Sequence, residues 1–144
     1  MNESVCAICA SVRIREELKL AGILIVDDYP LARTTIQGLL GWHEMHVCGE
    51  AKDGKEAIEQ VEALSPEVVL LDINMPQMNG MQAALEIRRI SPTTKILFFT
   101  VVGTKEAAAG ARLLADGYVQ KSAAGKDLIP ALERLLRSFP KAKH

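Results

Sequence analysis

Five short aliphatic runs, Ile23–Val26, Met45–Cys48, Val68–Leu71, Ile96–Phe99 and Tyr118–Val119, alternate along the chain with segments of helical periodicity. The first, third and fourth are apolar at every position. That pattern belongs to strands covered on both faces, where no side chain meets water, and not to the half-buried strands of an antiparallel sheet. The segments between them read as helices. Pro30 suits a first helical turn and is followed by Leu31, Thr35, Leu39 and Leu40 before Gly41. Asp53, with Glu56 three residues on, makes a start resembling a capping box; Ala57, Ile58, Val61 and Leu64 then mark one apolar face, and Pro66 prevents continuation. A third helix after Gly80 is expected to bury Met81, Ala84 and Leu85 and to end before Pro92. An alanine-rich fourth spans Thr104 to Ala115. The fifth carries Leu128, Leu132, Leu135, Leu136 and Phe139, and tolerates Pro130 only in its first turn, with a cap at or near Asp127.

Strand–helix alternation repeated five times implies a parallel sheet with helices on both faces. The expected class is therefore α/β, a doubly wound (βα)5 three-layer sandwich. For five such units the flavodoxin-like strand order 2-1-3-4-5 is the natural choice, an order adopted from known doubly wound sheets and not read from the residues. The repeat is expected over residues 21–138, with an N-terminal extension at 1–20 and a short tail at 139–144.

Composition narrows the function. With 144 residues, 49% hydrophobic and only 4% aromatic, the chain suits one domain with an aliphatic core. A net charge of −1 argues against a nucleic-acid or membrane surface spread over the whole molecule. No apolar run approaches the roughly 20 residues of a membrane span. Arg13, Arg15, Glu16 and Glu17 break up any signal-peptide core, so a cytoplasmic location is expected. Cys6, Cys9 and Cys48 are an odd number and no disulfide framework; Cys6 and Cys9 form a single C-x-x-C without a second pair and read as reduced thiols. Val12–Leu20 is amphipathic and reads equally as a short extra helix or a tail, and Trp42 is expected to cover the end of the first helix.

The chemistry gathers at the strand ends. In open parallel sheets, ligands bind beyond the carboxyl ends of the strands. Strand one finishes at Asp27-Asp28, strand three at Asp72 and strand four at Thr100, and strand five is followed by Lys121. Any one of these could be an ordinary solvated loop residue. Together they bring three carboxylates, a hydroxyl and an ammonium to one edge. Three carboxylates repel, which calls for a cation, and an all-oxygen set favours Mg²⁺, or Mn²⁺, over zinc. Mg²⁺ bridges to phosphate oxygens, which points to phosphoryl transfer, and a carboxylate can itself be the nucleophile. Lys121 would then neutralise phosphoryl oxygens and Thr100 would hydrogen-bond one of them.

The segments ILIVDDYP (Ile23–Pro30), LLDINMPQMNG (Leu70–Gly80), FFT (Phe98–Thr100) and GYVQKSA (Gly117–Ala123) resemble the signature segments of response-regulator receiver domains. The resemblance runs from about Ala21 to Ser138 and is CheY-like, closest in pattern to NarL/FixJ-type receivers. It implies that Asp72 accepts a phosphoryl group from a histidine kinase, a phosphotransfer protein or a small phosphodonor, with at most self-phosphorylation and self-dephosphorylation as enzymatic activity. It implies direct Mg²⁺ ligation by Asp28, Asp72 and the Asn74 backbone carbonyl, with Asp27 acting chiefly through water. Lys121 would pair with Asp72 and then with the phosphoryl group. Thr100 and Tyr118 would form the switch, reshaping the surface of the fourth helix, fifth strand and fifth helix for a downstream protein or a second copy.

The pattern also departs from the family. Thr100 to Lys121 is one residue shorter than usual, and Leu113-Leu114 stand where a Gly-Ala-like pair is expected, which bears on the fourth helix more than on the chemistry. A cis peptide is common after the lysine, but Lys121-Ser122 would be a non-proline cis bond costing about 3 kcal/mol, so its geometry stays open. Few residues follow the fifth helix, so direct DNA binding by this chain is not expected; the alternative within the family is the receiver part of a NarL/FixJ-type transcriptional regulator lacking its helix-turn-helix output domain. An aspartate-nucleophile phosphatase is a remoter alternative. It requires D-x-D-x-[TV], whereas the run here is Asp27-Asp28-Tyr29-Pro30. A flavin-binding module would place adjacent aspartates against its phosphate.

Overall fold

The computed structural model describes residues 22–75, 77–101 and 105–137. In chain order the elements are β1 (Ile23–Val26), α1 (Pro30–Trp42), β2 (Val47–Ala51), α2 (Gly54–Leu64), β3 (Val68–Leu71), α3 (Gly80–Ile90), β4 (Lys95–Thr100), α4 (Lys105–Leu114), β5 (Gly117–Gln120), a 3₁₀ turn (Lys121–Ala123) and α5 (Ala124–Arg137). The five strands form one parallel sheet of order β2-β1-β3-β4-β5. The 1–20 extension with Cys6, Cys9 and Val12–Leu20, and the 139–144 tail with Phe139, lie outside the described residues, as do Thr104 and Ser138.

The pleat divides the central strands between two cores. Leu24, Val26, Val69, Leu71, Ile96 and Phe98 point to one face and meet Ala57 and Val61 of α2, Ala83, Ala84 and Ile87 of α3, and Ala111 of α4. Their neighbours Ile23, Ile25, Val68, Leu70, Leu97 and Phe99 point to the other and meet Ile36 and Leu40 of α1 and Leu128, Leu132 and Leu135 of α5. Each fully buried aliphatic side chain contributes about 1.5–3 kcal/mol, and such residues lie on both faces of every central strand. This is why β1 and β3 tolerate no polar position.

Several boundaries differ from the sequence reading, each for a local reason. The second strand starts at Val47, not Met45, because α1 continues through Gly41 and Trp42 and closes with a Schellman motif. Glu44 adopts a left-handed φ of 59°, Glu44 N donates to Gly41 O (2.9 Å) and Met45 N to Leu40 O (2.9 Å), so Met45 belongs to the helix terminus. The same strand runs on through Gly49 and Glu50 to Ala51 because pairing with β1 holds it, Ile25 opposite Glu50 and Val26 opposite Ala51. Trp42 does not cover the end of α1 but is 84% exposed. In α3 the buried positions are Gly80, Ala83, Ala84 and Ile87; Leu85 is turned 100° past Ala84 and is exposed. Pro130 is not in the first turn of α5, which begins at Ala124. Both Pro130 and Lys126, whose carbonyl loses its partner, are exposed, so water can take the freed acceptor. Asp53 does cap α2, accepting from Glu56 N at 2.8 Å, while the Glu56 carboxylate reaches back to Lys52 N.

Among the glycines of the described residues, the closest approach of neighbouring atoms lies where β3 hands over to α3. Gly80 N donates to Ile73 O (2.8 Å), and a Cβ at Gly80 would stand 2.2 Å from Asp72 O and 2.6 Å from Ile73 Cα. Both are backbone atoms that cannot rotate away. Gly80→Ala is therefore expected to destabilise the protein by about 1–3 kcal/mol or more, read as a lower urea midpoint with an unchanged slope.

Candidate functional site

β1 and β3 pair in register, Val26 opposite Leu71, so the next residue of each, Asp27 and Asp72, emerges beside the other at the carboxyl edge. The ladder extends one step further: Asp27 N donates to Ala51 O and Asp72 N to Val26 O, both at 3.0 Å. Asp27, Asp28 and Asp72 bring one carboxylate oxygen each to within 4.8 Å of one another. Asp27 and Asp72 are buried, at 2% and 4% exposure, and Asp28 opens to solvent. Lys121, in the turn after β5, reaches across the edge and donates to Asp27 Oδ2 at 2.5 Å and to Asp72 Oδ2 at 3.4 Å. Its peptide bond to Ser122 is trans.

The electrostatics follow from burial. Desolvation pushes the Asp72 carboxyl above the ordinary aspartate range; Lys121 opposes this, the neighbouring Asp27 charge adds to it, and the Asn74 N–H, 3.1 Å from Asp72 Oδ1, opposes it. For Lys121 burial alone would lower the pKa, but the Asp27 hydrogen bond and the charges of Asp72 and Asp27 outweigh that and raise it, so the ammonium is retained. One ammonium against three carboxylates leaves the edge negative. The donor set is all oxygen, with one member open to water, which suits a hard divalent ion such as Mg²⁺ or Mn²⁺ and not zinc.

Thr100 is fully buried at the end of β4 and joins the cluster indirectly: Asn74 Nδ2 donates to Thr100 Oγ1 at 3.2 Å. Sequence reasoning assigned Asn74 only its backbone carbonyl and missed this side-chain bridge. Tyr118 stands apart from the carboxylates, opposite Phe98 in β5. Its hydroxyl is buried and finds no hydrogen-bond partner among the described residues, and the Arg112 guanidinium lies 5.4 Å from the ring centroid. A second missed element is Arg33 of α1. Its Nη1 donates to Asp27 O at 2.6 Å and its Nε to Glu50 Oε1 at 2.8 Å, and Gln37 donates to the other Glu50 oxygen. An arginine and a glutamate 17 residues apart carry no local signal of pairing; only the apposition of α1 and β2 brings them together.

The raised Asp72 pKa has a definite sign in stability. The folded protein holds the Asp72 proton more tightly than the unfolded chain, so this group's contribution falls as pH rises from the unfolded pKa through the folded one. In metal-free protein the Asp72 carboxyl ¹³C resonance should titrate above the ordinary aspartate range. Asp72→Asn should remove that falling component from the pH–stability curve, and a titration at or below the ordinary range would contradict the burial argument.

Residues 23–133 match the response regulator receiver domain family. The chain is 38% identical over 116 residues to the nitrate/nitrite response regulator protein NarL of Escherichia coli K12, covering 79% of this chain and 54% of that protein. It thus spans about half the length of that relative. It is 40% identical over 81 residues to the chemotaxis protein CheY of Thermotoga maritima, covering 56% of this chain and 68% of that one. Among solved structures, a LuxR-family two-component response regulator from Aurantimonas shares the fold with a TM-score of 0.76 at 32% identity, over 80% of this chain and 84% of the other. No helix among the described residues is long and apolar enough to cross a membrane. A family match over most of the sequence, on a fold shared with solved response regulators, decides the kinship: this chain belongs to the response regulator receiver domain family.

Proposed function

We propose that the acidic edge is a Mg²⁺-dependent phosphorylation site with Asp72 as acceptor, and that the chain is a phosphorylation switch. The observation that carries this reading is the convergence of Asp27, Asp28 and Asp72 with Lys121 at the carboxyl end of the sheet. Asp72 is the buried carboxylate that Lys121 and the Asn74 amide both address, and it lies within the segment LLDINMPQMNG. A carboxylate oxygen of Asp72 would form a bond to phosphorus as the P–N bond of a phosphohistidine, or the P–O bond of acetyl phosphate, breaks. The leaving group takes the electron pair, and ionised Asp72 has no proton to lose. Bound by Asp28, Asp72 and the Asn74 carbonyl, with Asp27 acting through water, Mg²⁺ would keep Asp72 ionised against its burial and offset charge on the phosphoryl oxygens. Lys121 would exchange part of its contact with Asp27 and Asp72 for a phosphoryl oxygen.

The readout in this proposal is mechanical. Thr100 would leave Asn74 for the phosphoryl group, and Tyr118, whose buried hydroxyl has no partner among the described residues, would respond across the face formed by α4, β5 and α5. The donor would be a histidine kinase or phosphotransfer protein and the recipient a downstream protein or a second copy, in the cytoplasm. The likeness to the nitrate/nitrite regulator supports a second reading, the receiver part of a transcriptional regulator, with the same chemistry at Asp72.

Incubation with acetyl phosphate and Mg²⁺ should add one labile phosphoryl group, seen by intact mass, in the wild type and not in Asp72→Ala. An adduct of equal yield in the variant would overturn the assignment. Asp28→Ala should weaken Mg²⁺ binding by about tenfold or more in calorimetry, through loss of a ligand and a charge; undiminished affinity would place the ion elsewhere.

A further inference from the structure

We propose that Arg33 is a positioning residue for the metal-binding edge, fixing the Asp27–Asp28 peptide plane and thereby the Asp28 carboxylate. The inference rests on the proposed Mg²⁺ site. Among the described residues, Asp28 has no hydrogen-bond or ion-pair partner of its own, so its carboxylate is placed by its backbone alone. That backbone is a short turn between β1 and α1, and the helix that follows gives it little help: its N-cap, Tyr29, makes no side-chain capping bond. Tyr29 N donates to Asp27 Oδ1 at 2.9 Å, which ties the turn to the side chain that Lys121 also holds. The remaining freedom is rotation of the Asp27–Asp28 peptide. Its carbonyl oxygen is the acceptor of Arg33 Nη1 at 2.6 Å, and a peptide is planar, so gripping the carbonyl fixes the amide that leads into Asp28.

Arg33 can do this because it is itself held. Its side chain is 18% exposed, and Nε is engaged by Glu50 at the end of β2, whose second oxygen is engaged by Gln37 one turn further along α1. The rigid guanidinium fork thus bridges two fixed acceptors, one in the turn after β1 and one on β2. A lysine offers a single point charge and cannot span both.

The charge of Arg33 makes the idea testable by sign. Removing a cation beside three carboxylates should, by Coulomb attraction alone, tighten Mg²⁺ binding. Loss of positioning should weaken it. Mg²⁺ is titrated by calorimetry into the wild type, Arg33→Ala, Arg33→Lys and Glu50→Gln, with urea unfolding on each to confirm the fold. The expected result is a dissociation constant raised about tenfold in both Arg33 variants and less in Glu50→Gln, comparable to losing one charge-assisted hydrogen bond. In metal-free protein, amide exchange at Asp28 and Tyr29 should speed up in Arg33→Lys relative to the wild type. Unchanged or tighter binding in Arg33→Ala, or wild-type behaviour of Arg33→Lys in both measurements, would overturn the role of Arg33 while leaving the Mg²⁺ site intact. Absence of Asp28-dependent binding in the wild type would instead remove the site on which the inference stands.

Discussion

In-register pairing of β1 with β3 is the constraint on which the site depends. Val26 faces Leu71 across the ladder, and the next residue on each strand is an aspartate. Parallel strands lie about 4.8 Å apart, so two acidic residues at the same step must be near neighbours. A slip of one residue would turn every side chain of β1 to the opposite face and strand Ile23, Leu24, Ile25 and Val26 among the wrong partners. The two cores forbid it. The hydrophobic register is thus also the electrostatic register, and the repulsion between Asp27 and Asp72 is imposed by packing on both faces of the sheet.

That repulsion explains the rest of the edge. Lys121 comes from beyond the last strand to meet both buried carboxylates, and the Asn74 amide meets the free oxygen of Asp72. Neither contact neutralises the cluster, which suits its oxygens to a small hard cation. The tight closure at Gly80 holds the loop that carries Asp72 and Asn74 against β3, and Arg33 holds the turn that carries Asp28. Thr100 is linked to this edge through Asn74, while Tyr118 sits one strand away with a hydroxyl that has no partner among the described residues.

The strands with continuous apolar runs, β1, β3 and β4, were legible in the sequence because burial on both faces leaves no room for a polar residue. The edge strands were located, but their bounds were not. In β2, Gly49 and Glu50 are held by pairing with β1, which composition does not reveal, and Met45 was taken by the Schellman closure of α1. Leu85 and Trp42 were misplaced because an apolar residue one step around a helix from the buried face carries no mark of its exposure. Asp27, Asp28, Asp72 and Lys121 could be brought together from sequence since each stands at the end of an element whose direction the fold fixes. Arg33, Glu50 and the Asn74 side chain could not. Their partners are distant in sequence, and a charged residue on an amphipathic helix looks like any solvated one until the neighbouring strand is in place.

The central claim is that Asp72, within this oxygen-lined edge, is where a phosphoryl group and a divalent cation meet. Beryllofluoride mimics that group and reports through ¹⁹F NMR without any turnover. The account predicts bound fluorine resonances in the wild type that require Mg²⁺ and vanish in Asp72→Ala. Bound resonances that persist in the variant, or none in the wild type at saturating Mg²⁺, would contradict it.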